Sequence, residues 1–231
     1  MAIIDDHLKV SDLRFRFAGQ AADLFHVEHL TLSPGQTLGI RGASGAGKTT
    51  LLHCLAGIEP VNAGSIRWGG QEISSLSQSA LTRWRQQHLG LVFQDFHLVE
   101  GLSALDNVLL PASFNAWRPA SILRERADAL LKRVDIWSPG RPAELLSRGE
   151  RQRVAVARAL LFEPRIVLAD EPTASLDPEN RNTVSRLLLD LAREHGATLI
   201  VISHDAALLE QLDGKLELRD GALHTLESAH V

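Results

Sequence analysis

A single cysteine, Cys54, is all the sequence offers toward a disulfide. No intrachain bridge can form, and the fold needs no oxidising compartment. No run approaches the roughly eighteen apolar residues that a membrane-crossing helix requires. The opening residues, Met1 to Asp6, carry neither a basic n-region nor a long apolar stretch, so no signal peptide is expected. A basic excess is missing too: 24 Lys and Arg stand against 28 Asp and Glu, a net charge of -4. A general nucleic-acid binder wants a basic face. Internal repeats and low-complexity tracts are also absent. Together these absences predict a soluble, cytoplasmic protein that binds no nucleic acid. What remains is ordinary globular usage, 45% hydrophobic and 23% charged over 231 residues. That length suits one large domain, or one domain carrying an inserted lobe.

Alternating apolar residues (Leu13, Phe15, Phe17) predict a strand over 8–17, followed by a second over 24–32. After the turn at Ser33-Pro34-Gly35 come a short apolar strand at 37–41, a glycine-rich loop, a helix at 49–56 and a strand at 64–68. Helical texture then dominates: 76–87, 103–114 and 120–134, with a strand at 89–93 and punctuation by Pro119, Pro139 and Pro142. Residues 95–145 are expected to form a mostly helical lobe inserted into an α/β core built from 1–94 and 146–231. Buried strands at 166–169 and 198–202 then alternate with helices at 149–162, 179–194 and 206–212, before a hairpin within 215–226. Such alternation predicts a mostly parallel sheet covered on both faces.

Gly42-Ala43-Ser44-Gly45-Ala46-Gly47-Lys48-Thr49 fits the phosphate-loop pattern, with Thr50 following. Its glycines let successive N–H groups turn inward around an anion. The helix that follows adds free N–H groups and the positive end of its dipole. Lys48 supplies charge for the outer phosphates, and the Thr49 hydroxyl can ligate Mg²⁺. Nucleotide binding is the direct reading.

A second feature is the apolar strand Ile166-Val167-Leu168-Ala169 ending in Asp170-Glu171. Open α/β sheets bind ligands at strand ends. Asp170 is placed to hold Mg²⁺, and Glu171 to accept a proton from an attacking water.

Between these motifs runs Leu146-Ser147-Arg148-Gly149-Glu150. Here the sequence resembles the ATP-binding-cassette (ABC) ATPases, whose signature reads Leu-Ser-Gly-Gly-Gln. Gln94, ending a strand, looks like the Q-loop glutamine; Ser175-Leu176-Asp177 looks like the D-loop; His204 looks like the switch histidine; Phe17 sits where an aromatic residue stacks on adenine. The stretches Arg151 to Leu160, Ala169 to Thr173 and Leu89 to Gln94, with Glu150, are similar to the lipoprotein-releasing and macrolide-exporter subgroup. The resemblance implies a phosphate-loop NTPase core, mostly parallel with antiparallel N-terminal strands, plus the inserted helical lobe.

It also implies ATP and Mg²⁺ as ligands and a head-to-tail homodimer formed on ATP. Each ATP would lie between one chain's Lys48 loop and the other's Ser147, Gly149 and Glu150, with Asp177 along the seam. Gln94 would reach metal and water, and Glu171 with His204 would activate the water. A separate integral-membrane permease would perform transport, which places the chain peripherally on the inner face of the cell membrane. A regulatory ATPase of a cell-division-type complex and a low-turnover ATP-dependent scaffold remain open alternatives. Arg148 departs from the signature's third glycine, and could either crowd the interface or add charge beside the phosphate.

Phe96, Leu98, Val99 and Leu102 are a candidate docking surface for the permease. The nine histidines besides His204 have no metal-ligand spacing. Cys54 and the tryptophans Trp68, Trp84, Trp117 and Trp137 are read as packing residues, the tryptophans in the lobe. Arg151, Arg153 and Arg158 fall on the signature helix, where phosphate or interface contacts suit them better than nucleic acid.

Overall fold

Leu8, Val10, Leu13 and Phe15 of β1 (Leu8–Phe15) are buried, the alternation shifting by one residue between Ser11 and Arg14, and β2 (Phe25–Leu32) pairs with it antiparallel. The computed structural model describes residues 7–114 and 121–226; Trp117 and Pro119 lie outside them. β4 (Ala63–Trp68) and the two-residue β5 (Gln71–Glu72) complete a four-stranded antiparallel sheet in the order β2-β1-β4-β5.

A second sheet has the order β10-β9-β3-β8-β7-β6. Its members are β3 (Thr37–Arg41), β6 (Leu89–Val92), β7 (Ile166–Asp170), β8 (Thr198–Ile202), β9 (Gly214–Arg219) and β10 (Ala222–Thr225). All its neighbours are parallel except the β9–β10 hairpin. The helices are α1 (Lys48–Leu55), α2 (Gln78–His88), α3 (Ala104–Ser113), α4 (Ser121–Arg133), α5 (Arg148–Leu160), α6 (Pro178–Glu194) and α7 (Ala206–Leu209).

Both faces of the central strands are covered, which is why β7 and β8 read as unbroken apolar runs. Ile166, Leu168, Ile200 and Ile202 point into a cluster shared with α1, α2 and the antiparallel sheet. Val167, Ala169, Leu199 and Val201 point the other way, into a cluster shared with α3 to α7. Between β6 and α5, helices α3 and α4 pack on each other and on α5.

Three sequence expectations shift. β1 stops at Phe15, because the chain turns (Gln20 N–H to Phe17 O, 3.1 Å) and leaves Phe17 46% exposed. α7 stops at Leu209, closing through Leu212 N–H to Leu209 O instead of running on to 212. Trp68 and Trp84 are buried, but beneath the antiparallel sheet and not among α3 and α4. The Trp68 indole N–H donates to Leu55 O at 3.0 Å, satisfying the ring's polar edge. Trp137 is 72% exposed, so it is not a buried packing residue of the lobe. Cys54 is buried as expected, and burial together with nearby Glu59 pushes its thiol up to about 12, so it is inert.

Candidate functional site

The C-terminal ends of β3, β7 and β8 open onto one cleft of about 680 Å³. It gathers Phe17, Ser44, Gly45, Gly47, Lys48, Thr49, Thr50, Gln94, Asp170, Glu171 and His204, which lie up to 187 positions apart in sequence.

The loop between β3 and α1 forms one wall. Gly45 (φ 79°) and Gly47 (φ 96°) take left-handed backbone that a side chain resists. A Cβ on Gly47 would also lie 2.9 Å from Leu24. Gly42 and Ala43 turn their carbonyls onto Lys48, whose ammonium donates to them at 2.7 and 2.9 Å. Ala46 N–H closes the loop onto Ala43 O at 3.2 Å. Lys48 itself is only 8% exposed, with its charge aimed back over the loop.

The opposite wall is the end of β7. Asp170 is 6% exposed, and its Oδ1 is buried without a hydrogen-bond partner. Glu171 adopts φ 44°, a costly backbone for a residue with a Cβ. The strain is held by its N–H donating to Ile202 O at 2.9 Å. Its carboxylate faces His204 Nε2 at 3.3 Å. Burial raises the Glu171 pKa above the usual carboxylate value, against the pull of His204 and Lys48, and Asp170 adds repulsion. A carboxyl tuned upward beside an imidazole is chemically suited to accept a proton.

Ser147, Gly149, Glu150 and Asp177 do not enter this cleft. Ser147 is the N-cap of α5: its Oγ accepts from Glu150 N–H (3.2 Å), while Glu150 Oε2 accepts from Ser147 N–H (2.7 Å). This reciprocal capping box occupies the Glu150 carboxylate, which Arg141 also contacts at 3.0 Å. Burial works against the charge of Glu150. The Ser147 N–H and hydroxyl, with Arg141 and Arg153, outweigh it and hold its pKa below the ordinary value.

A lowered folded pKa contributes stability above the usual carboxylate range and loses it as pH falls through the folded value. Glu150→Ala is therefore expected to cost about 1 kcal/mol near neutral pH, as lost caps do. The deficit should fade in acid, and urea melts at the two pH values check it.

Asp177 caps α6, accepting from Asn180 N–H (3.0 Å) and Asn180 Nδ2 (2.7 Å). Asn180 in turn accepts from Arg153 at 2.8 Å, and a Cβ on Gly149 would fall 2.3 Å from it. A side chain at 149 would therefore displace the Asn180 amide from Asp177 and Arg153 where α5 meets α6. Arg148 is exposed, and its guanidinium lies 5.9 Å over the Phe96 ring of its own chain.

The cleft also holds Leu24, Thr173, Ala174, Arg181, Ser203 and Asp205, none of which the sequence singled out. Thr173 and Ala174 follow Asp170-Glu171 across Pro172, and Ser203 and Asp205 flank His204, so adjacency was an available signal. Arg181 had none.

At the docking surface anticipated on Phe96, Leu98, Val99 and Leu102, Val99 is 44% exposed and the other three are half-buried. Asn107, fully buried, binds Val99 N–H at 2.7 Å and donates to the carbonyls of Val99, Leu102 and Ser103. That ties the segment's backbone to α3, and Leu98 packs against the helical cluster. A separate apolar groove of about 360 Å³ lies alongside, lined by Leu89, Leu91, Phe93, Leu110, Phe114 and Phe162, among others. Phe114 is 75% exposed there.

Comparison with known proteins agrees with this geometry. The ABC transporter family profile matches residues 25–174. The chain is 41% identical over 220 residues to the lipoprotein-releasing system ATP-binding protein LolD 1 of Rhodopirellula baltica, covering 94% of this chain and 95% of that one. The ATP-binding cassette MJ0796, solved as a dimer in a post-hydrolysis state with ADP and Pi, superposes with a TM-score of 0.83 at 29% identity. That match covers 96% of this chain and 99% of MJ0796. CbiO1 of Clostridium perfringens, part of the transporter complex CbiONQ, gives a TM-score of 0.84 at 29% identity, covering 95% of this chain and 87% of CbiO1.

Proposed function

The chain belongs to the ABC transporter family, and from that premise we propose that it is the ATP-hydrolysing subunit of a membrane complex whose transport step is carried out by a separate integral-membrane permease. The observation that carries this reading is the convergence of the Lys48 loop, Gln94, Asp170, Glu171 and His204 on one cleft.

Lys48 and the N–H groups of the loop bind and orient the phosphates, with Phe17 against the base. Thr49 and the unpartnered Asp170 Oδ1 supply oxygen donors that suit Mg²⁺. Among the described residues no group of three or more His, Cys, Asp or Glu could hold a metal alone. Gln94 lines the same cleft and would be a further oxygen donor to the ion. Mg²⁺, when bound, neutralises charge on the phosphates. Glu171 takes the proton of the attacking water, and His204 orients both.

Ser147, Gly149 and Asp177 lie outside their own chain's cleft, at the starts of α5 and α6. That supports a head-to-tail homodimer in which these ends close the partner's site. Residues 95–145, beginning just past Gln94, are read as the lobe that relays nucleotide state to the permease, with the Phe93–Phe114 groove receiving it. No helix of the described residues is long and apolar enough to cross a membrane. The likeness to the lipoprotein-releasing ATP-binding protein supports peripheral attachment on the inner face. The subgroup resemblance points to lipoprotein release or export. Co-purification with a membrane protein, and ATPase stimulation by cargo, would separate transport from purely mechanical signalling; failure to find any membrane partner would overturn the reading.

Arg148 rests on its own Phe96, a place where it adds bulk near the signature without pairing to a carboxylate. Arg148→Gly is accordingly expected to preserve or raise ATPase turnover. A collapse in rate would show that the arginine takes part directly.

A further inference from the structure

Arg181 sits in the first turn of α6, where the helix dipole disfavours a cation. Asp177, one helical turn before it, is already engaged by Asn180 through both carboxylate oxygens. Arg181 reaches elsewhere. Its Nη2 donates to Leu176 O at 3.2 Å, in the loop that leads into Asp177. Its Nε faces Asp205 Oδ2 at 4.0 Å.

Asp205 is well fixed. Its other oxygen caps α7, accepting from Ala207 N–H (3.0 Å) and Leu208 N–H (3.4 Å). Its own N–H donates to Ser203 Oγ at 3.0 Å, and Ser203 N–H donates to Ile40 O at the end of β3. Between Ser203 and Asp205 stands His204, 3.3 Å from Glu171. Leu176, Arg181, Asp205, His204 and Glu171 thus form one chain of contacts, and its last four members line the cleft.

We propose that Arg181 is a positioning residue: it braces the bend that presents His204 to Glu171, and ties to that bend the loop carrying Asp177. The cost of a cation at the helix start is offset by Asp205 and the Leu176 carbonyl. A loop facing a second copy of the chain and the water-activating pair are thereby held in one arrangement. The inference rests on the reading of Glu171 and His204 given above.

The test uses the full chain and the pair Arg181→Gln and Asp205→Asn. Asparagine caps a helix as well as aspartate, so Asp205→Asn keeps α7 while removing the charge opposite Arg181. Each variant is expected to lower kcat about tenfold, as small misplacements in a site do, with KM and analogue affinity unchanged. The double variant should be no slower than either single one, and Arg181→Lys should recover part of the rate. Wild-type kcat in Asp205→Asn, or effects that multiply in the double variant, would overturn the brace. A raised KM and weakened analogue binding in Arg181→Gln would overturn it too, by showing that the arginine grips phosphate itself. His204→Ala run in parallel keeps the two readings apart: full turnover there sinks the assignment of the pair, whereas its loss leaves only the brace at issue.

Discussion

Lys48→Ala is expected to weaken nucleotide binding by two to three orders of magnitude. The ammonium is the only side-chain cation buried in the loop, and it is held by the carbonyls of Gly42 and Ala43. A charge pair near 4 Å is worth about 4 kcal/mol at an effective dielectric of 20, about a thousandfold in Kd before screening. The loop's N–H groups and the α1 N-terminus remain, so some anion affinity should persist. Calorimetry with a slowly hydrolysed ATP analogue measures this, and a thermal melt without nucleotide verifies that the loop still folds. An unchanged Kd in a folded variant would remove Lys48 from the site.

Glu171→Gln separates binding from chemistry. Loss of a positioned proton acceptor typically costs about 10²- to 10⁴-fold in rate. Because Lys48 and the loop are untouched, ATP should still bind, and the variant should accumulate as an ATP-held dimer by size exclusion. Wild-type turnover would exclude Glu171 from the reaction.

The same substitution has an opposite effect on stability. With its folded pKa raised by burial, Glu171 gives up its proton less readily in the folded than in the unfolded chain. Ionisation therefore costs stability above the ordinary carboxylate range, and the cost vanishes in acid, where both states are protonated. Glu171→Gln mimics the neutral form. Its nucleotide-free melting temperature should exceed that of the wild type near pH 8, and the gap should close as pH falls below about 4. A lower melting temperature at both values would mean that the contact with His204 outweighs desolvation.

Much of the cleft was legible because its parts are local. The Gly42–Thr49 loop needs consecutive backbone positions, and Asp170-Glu171 needs only a strand end, so each is written in a few adjacent residues. The parallel sheet was legible from the apolar runs at 166–169 and 198–202, since strands buried on both faces have no polar side to show. Arg181 could not be found this way, because its partners Leu176 and Asp205 come from loops that meet only when α6 docks under β8. Nothing adjacent to Val99 announces that the buried amide of Asn107 will hold that segment's backbone. Trp68 and Trp84, likewise, were assigned to the wrong layer, since hydrophobicity says that a ring is covered but not by what.

The sequence alone therefore determined the glycine-rich loop ahead of α1, the acidic strand end and the alternation of strands and helices, all of which depend on neighbours within one or two turns of chain. The tertiary structure alone decided which distant residues share the cleft, which carboxylates are spent on capping, and where the apolar groove opens. Those depend on burial and close approach between segments far apart in the chain. A glycine at 149 or an orphaned oxygen on Asp170 acquires its meaning only once the opposing element is in place.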